Sequence, residues 1–149
     1  MSEKDILSGH QSLCDKRQKR IVSKEKRSSH TAVNKNGQLV RQYLIDGDVI
    51  KDKHVIKCDY LVLNDEKKAA YFIELKGSKV VHAIEQIEET AKRLRHCLQG
   101  YQFYYRIVLS GSCTHGVNYD VFWKWQYKCG RARGIDVASM KRGSYSETI

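Results

Sequence analysis

The chain contains no stretch of eighteen or more uninterrupted apolar residues, the length a membrane-spanning helix requires. Its beginning, MSEKDILSGHQSLCDKRQKR, also lacks the apolar centre of a secretory signal. The expectation is a cytoplasmic protein with no membrane partner. Paired cysteines are missing as well. Cys14, Cys58, Cys97, Cys113 and Cys129 are five, an odd number with no CxxC spacing, which excludes a disulfide framework or a zinc knuckle and points to reduced, mostly buried thiols. Internal repeats are absent too.

Acidic residues are few relative to basic ones. Lys and Arg number 27 against 17 Asp and Glu, a formal charge of +10, and such a surface attracts polyanions. Nucleic acid is the natural partner, although a basic surface also serves solubility alone. At 149 residues the chain suits one domain with a substantial core.

Residues 1–37 are polar and basic. Within KRQKRIVSKEKRSS only Ile21 and Val22 are consecutive apolar residues, so this part reads as a short helix or mobile arm, with Lys16, Arg17, Lys19 and Arg20 available for phosphate contacts. Residues 38–130 form the expected core. LVRQYLI and VIKDKHVIKCDYLVL flank the Asp46-Gly47 turn signal, and AAYFIEL follows the polar turn NDEKK, giving a meander of antiparallel strands. Beyond it, Val80, Ile84, Ile87, Ala91, Leu94 and Leu98 mark one helical stripe, with Ser78 as N-cap and Gly100 as stop. FYYRIVLS reads as a buried strand, SGSCTHG as a loop and YDVFWKWQY as an aromatic strand or short helix, its Phe122, Trp123 and Trp125 more readily core than base-stacking. Residues 131–149 read as a weak element and a frayed tail.

Two charges end the third apolar run, in Tyr71-Phe-Ile-Glu-Leu-Lys76. With the turn centred between Glu66 and Lys67, Leu61 faces Phe72, Leu63 faces Ala70, and Asp59 falls opposite Glu74. Alternation puts Lys76 on the Glu74 face. Like charges at directly opposed strand positions destabilise a sheet unless a cation or proton intervenes. Mg²⁺ suits carboxylate oxygens and a backbone carbonyl, and it activates water against a phosphate. Cys113 with His115 offers no second ligand pair, and no local signature marks a Cys/His nucleophile.

Asp59, fourteen intervening residues, then Glu74-Leu75-Lys76, on a hairpin followed by an amphipathic helix, resembles the PD-(D/E)XK nuclease superfamily over residues 39–109. The resemblance implies a single α/β domain with a restriction endonuclease-like mixed β-sheet flanked by α-helices. It implies a metal-dependent endonuclease that hydrolyses DNA phosphodiester bonds and leaves a 5′-phosphate. Asp59, Glu74 and the Leu75 carbonyl would ligate Mg²⁺, with Mn²⁺ a substitute, and Lys76 would be the catalytic lysine. Gln86 matches a glutamine that some members use, and Lys79, Gln86 and Arg93 share one helix flank that would face DNA. Thr90 stands where RecB-like members have tyrosine, Cys58 where proline is common, and only Glu3 and Glu25 offer an early acidic ligand. Cutting both strands of a duplex would require a homodimer or higher symmetric oligomer. The alternatives are a catalytically inactive nucleic-acid-binding module on the same fold and a basic adaptor for an acidic protein.

Overall fold

The computed structural model describes residues 6–77, 79–110 and 117–149, with the side chain of Lys76 excepted. The basic N-terminal segment is a hairpin, not the expected helix or arm: β1 (Arg20–Glu25) pairs antiparallel with β2 (Ser28–Val33). Alternation is present in both strands, but the buried positions are Ile21, Ser23, Ser28, His30 and Ala32. Small and polar residues on the inner face hid the strand signal that bulky apolar ones would have given.

The meander follows. β3 (Val40–Leu44), β4 (Tyr60–Asn64) and β5 (Ala69–Gly77) are successive antiparallel neighbours, and Leu61 faces Phe72 and Leu63 faces Ala70 as the turn position predicts. The Asp46-Gly47 turn forms, with Gly47 at φ 98°, but the chain stays irregular over 49–58 and the strand starts only at Tyr60. A buried lysine organises that loop. Lys57 Nζ donates to the Asp52 and Val55 carbonyls at 2.8 and 3.1 Å and pairs with Asp46 at 3.7 Å.

Helix α1 (Val80–Leu94) presents Val80, Ala83, Ile87, Ala91 and Leu94 to the core, each larger aliphatic contributing about 1.5–3 kcal/mol on full burial. Its N-cap is Lys79, one residue after Ser78, which lies outside the described residues. The helix returns the chain to β6 (Gln102–Leu109), parallel to β5, completing a βαβ unit. The aromatic segment is helix α2 (Tyr119–Cys129), with the Asn118 side chain accepting from the Val121 amide.

The expected C-terminal tail is instead woven into both sheets. After a ribbon of β7 (Arg131–Ala132) and β8 (Ile135–Asp136), β9 (Ala138–Arg142) joins β6 in parallel and β10 (Ser144–Thr148) joins β2 in parallel. The sheets are ordered β3-β4-β5-β6-β9 and β1-β2-β10. Helices α1 and α2 cover one face of the five-stranded sheet through Leu61, Phe72, Ile107 and Trp125. The three-stranded sheet covers the other through Ile21, Val62, Ile73 and Tyr145. Covered on both faces, β5 reads as a continuous apolar run. Among the described residues no helix is long and apolar enough to cross a membrane, and Cys14, Cys58, Cys97 and Cys129 form no disulfides.

Candidate active site

The carboxyl ends of β5, β6 and β9 share one end of the five-stranded sheet, the position at which open α/β sheets bind ligands. Glu74 lies there, two residues beyond the core residue Phe72 and therefore on the helix side. Asp59 arrives from the residue just before the neighbouring strand β4. The β4–β5 ladder ends at Tyr60 and Ile73, one rung short of the expected Asp59–Glu74 pair, and the Asp59 amide donates to the Ile73 carbonyl at 3.1 Å. The Asp59 carboxylate then supplies the next rung itself, Oδ2 accepting from the Leu75 amide at 2.8 Å. Asp59 is 5% exposed and Glu74 3%.

Both carboxylates act on one neighbour, the buried Cys58 thiol. Burial pushes its pKa up, the charge of Glu74 pushes it further, the hydrogen bond with Thr90 works against them, and the charge of Asp59 adds to the rise. A thiol so placed stays protonated near neutral pH and contributes no thiolate.

Helix α1 holds the segment that carries Asp59. The Thr90 hydroxyl accepts from the Cys58 amide at 2.8 Å and donates to the Gln86 carbonyl at 2.7 Å, while Gln86 Nε2 donates to the Lys57 carbonyl at 3.0 Å. Gln86 thus ties the backbone at Lys57 to helix α1. Thr90 completes the grip, and its signal in the sequence is a hydroxyl at a fully buried helix position.

Lys76 lies in β5 where pairing with β6 shifts register between Leu75 and Gly77, an irregularity common beside active sites. Lys79 is exposed at the same end of the sheet. Arg93 is remote from it, about 21 Å along the helix, and pairs with Glu89 at 3.4 Å. Cys113 and His115 fall outside the described residues, as does Glu3.

Lys16, Arg17, Lys19 and Arg20 are exposed, but at the opposite end of the sheet. The Lys16 carbonyl accepts from Val40, which faces Asn64, and Arg17 pairs with Glu66 in the β4–β5 turn at 3.6 Å. Five strand residues, roughly 17 Å, separate Asn64 from Asp59. The cations at the Asp59 end of the sheet are others. The Tyr60 hydroxyl donates to the Lys24 carbonyl at 3.4 Å, so the β1–β2 turn brings Lys24, Lys26 and Arg27 to the Asp59 end. Glu25 comes with them: burial, its charge and that of Asp59 together raise the Tyr60 pKa. Arg142, at the end of β9, faces Leu109, which in turn faces Gly77.

The arrangement is a buried carboxylate pair at the end of a strand, with exposed cations at the same end of the sheet. Oxygen donors of this kind fit Mg²⁺ or Mn²⁺, although among the described residues no group of three or more His, Cys, Asp or Glu side chains is gathered. No family model, no curated protein and no solved structure matches the chain.

Proposed function

We propose that the chain is a PD-(D/E)XK-type nuclease of restriction endonuclease-like fold that hydrolyses DNA phosphodiester bonds. The observation that carries this reading is the Asp59 carboxylate fixed on the Leu75 amide beside Glu74 at the carboxyl end of β5. Asp59, Glu74 and the Leu75 carbonyl would hold the divalent cation. When bound, it lowers the pKa of water and stabilises charge developing on phosphate.

The chain's own residues do the rest. Asp59 and Glu74 supply oxygen donors from rigid positions, which preorganises the site. Lys76 would serve to orient the attacking water or steady charge on phosphorus. Gln86 and Thr90 hold the backbone of 57–59, and with it Asp59, against helix α1. Lys24, Lys26, Arg27, Lys79 and Arg142 make the phosphate contacts that steer the DNA in, a role better suited to them than to the cations at the far end. A duplex substrate would engage two copies of the chain, one for each strand.

The test is cleavage of supercoiled plasmid and of single-stranded DNA with Mg²⁺, Mn²⁺ or EDTA, beside Glu74→Gln and Lys76→Ala. Metal-dependent cutting lost in both variants is expected. DNA binding without cutting under every condition would overturn the catalytic reading.

A further inference from the structure

Helix α2 carries a row of exposed rings. Tyr119, Trp123 and Tyr127 recur every four residues, so they fall along one side of the helix, and they are 41%, 58% and 92% exposed. Phe122 and Trp125 turn the other way and pack in the core. The Tyr119 and Trp123 rings lie 5.9 Å apart, centroid to centroid, and the row runs about 12 Å from its first member to its last. It begins at the same end of the five-stranded sheet as the candidate site: Arg142 Nη2, at the end of β9, donates to the Tyr119 hydroxyl at 3.3 Å. Lys124 and Lys128 are exposed on the same helix, which has Asp120 as its single acidic residue.

We propose that this row is a stacking track for unpaired bases of a single-stranded DNA segment leading to the carboxylate site. The inference deepens the nuclease reading by naming the substrate's form, and it rests on the nucleic-acid part of that reading. Aromatic faces bind single strands because unpaired bases offer their own π-faces, whereas bases within a duplex are already stacked on one another. The occupant must also suit the charge. Lysines beside the row complement a phosphate backbone running past stacked bases. A second copy of this chain, itself at +10, would bring like charges together. An aliphatic partner surface is matched less well by a row made only of Tyr and Trp, rings with a polar edge.

The experiment is fluorescence anisotropy of a labelled oligothymidylate and of a duplex of equal length, in EDTA so that nothing is cut. Wild type is compared with Trp123→Ala and Tyr127→Ala, whose exposure makes the fold tolerant, with circular dichroism as the check. Each variant is expected to lose about tenfold in affinity for the single strand, with duplex binding unchanged. Unchanged single-strand affinity, or an equal loss on both ligands, would overturn the proposal. So would sedimentation showing a wild-type dimer that Trp123→Ala dissociates, since the row would then be covered by a second copy. Cleavage is read separately with Glu74→Gln. Binding that depends on Trp123 and Tyr127 without any cleavage would remove the catalytic reading alone, and metal-dependent cleavage indifferent to Trp123 would remove this inference alone.

Discussion

Asp59 Oδ2 accepts a hydrogen bond from the Leu75 amide at 2.8 Å, so a side chain takes over where the β4–β5 backbone ladder stops. On the proposed reading Asp59 therefore has two separable duties, one in structure and one in chemistry. Asp59→Ala leaves a buried amide without its acceptor and is expected to destabilise the fold by about 1–3 kcal/mol. Asp59→Asn keeps an oxygen acceptor and is expected to cost clearly less, yet both variants should lose metal-dependent cleavage. Urea unfolding beside a plasmid assay checks this, and retained activity in Asp59→Asn would contradict the assignment.

The grip of helix α1 on 57–58 predicts a graded effect. Thr90→Val removes the acceptor for the buried Cys58 amide, with an expected loss of about 1–2 kcal/mol and a fall in activity of about tenfold or more. Thr90→Ser keeps the hydroxyl and should restore most of both. Gln86→Ala, which loses only the bond to the Lys57 carbonyl, should fall between them, whereas a directly catalytic Gln86 would be as damaging as Glu74→Gln. Single-turnover cleavage rates with matched unfolding curves distinguish the two.

Acid stability should report the buried pair between the sheets. The fully buried Arg106 donates to Glu147 from Nε and Nη2 at 2.7 and 3.1 Å, and His30 donates to the same carboxylate at 2.7 Å. Burial alone would raise the Glu147 pKa, but the hydrogen bonds from His30 and Arg106 outweigh it and hold the pKa below its ordinary 4.5. A carboxylate depressed on folding contributes stability that is complete above about pH 4.5 and is lost as the pH falls through its own lower value. Glu147→Gln should show a shallower acid dependence and, with Arg106 buried beside no counter-ion, a loss of about 3–5 kcal/mol at pH 7. Urea unfolding across that pH range is the measurement, and wild-type stability in the variant at pH 7 would contradict the account.

The position of the cations predicts which of them DNA feels. Replacing Lys24, Lys26 and Arg27 together by alanine should weaken DNA binding and reduce the slope of log affinity against log salt by about 2 to 3, close to one per lost phosphate contact. Replacing Lys16 and Arg20, exposed at the other end of the sheet, should leave that slope nearly unchanged. Salt titrations of binding decide between the two ends.

The hairpin that carries the site was legible because strand alternation and a short polar turn fix its register, as the pairs Leu61–Phe72 and Leu63–Ala70 show. Helix α1 was legible from its stripe. The strands β1, β2 and β10 were not, because the surface they bury houses the Arg106–Glu147–His30 cluster, and polar inward residues look like loop in a sequence. Their pairing is a tertiary fact, since β10 joins β2 from across the chain. For the same reason the sequence could not tell the Lys16–Arg20 run from the Lys24–Arg27 turn, which the hairpin carries to opposite ends of the sheet. The aromatic helix was half legible: Phe122 and Trp125 are core, but the exposure of Trp123 with Tyr119 and Tyr127 emerges only when the segment is a helix.

The central claim is that Asp59 and Glu74 together hold a divalent cation. Titration of metal-free protein with Mn²⁺, followed by electron paramagnetic resonance, tests it without recourse to any substrate. The account predicts about one Mn²⁺ bound per chain, displaced by excess Mg²⁺ and lost in a folded Asp59→Asn, Glu74→Gln double variant. Equal Mn²⁺ binding by wild type and the double variant, or none by wild type, would contradict it.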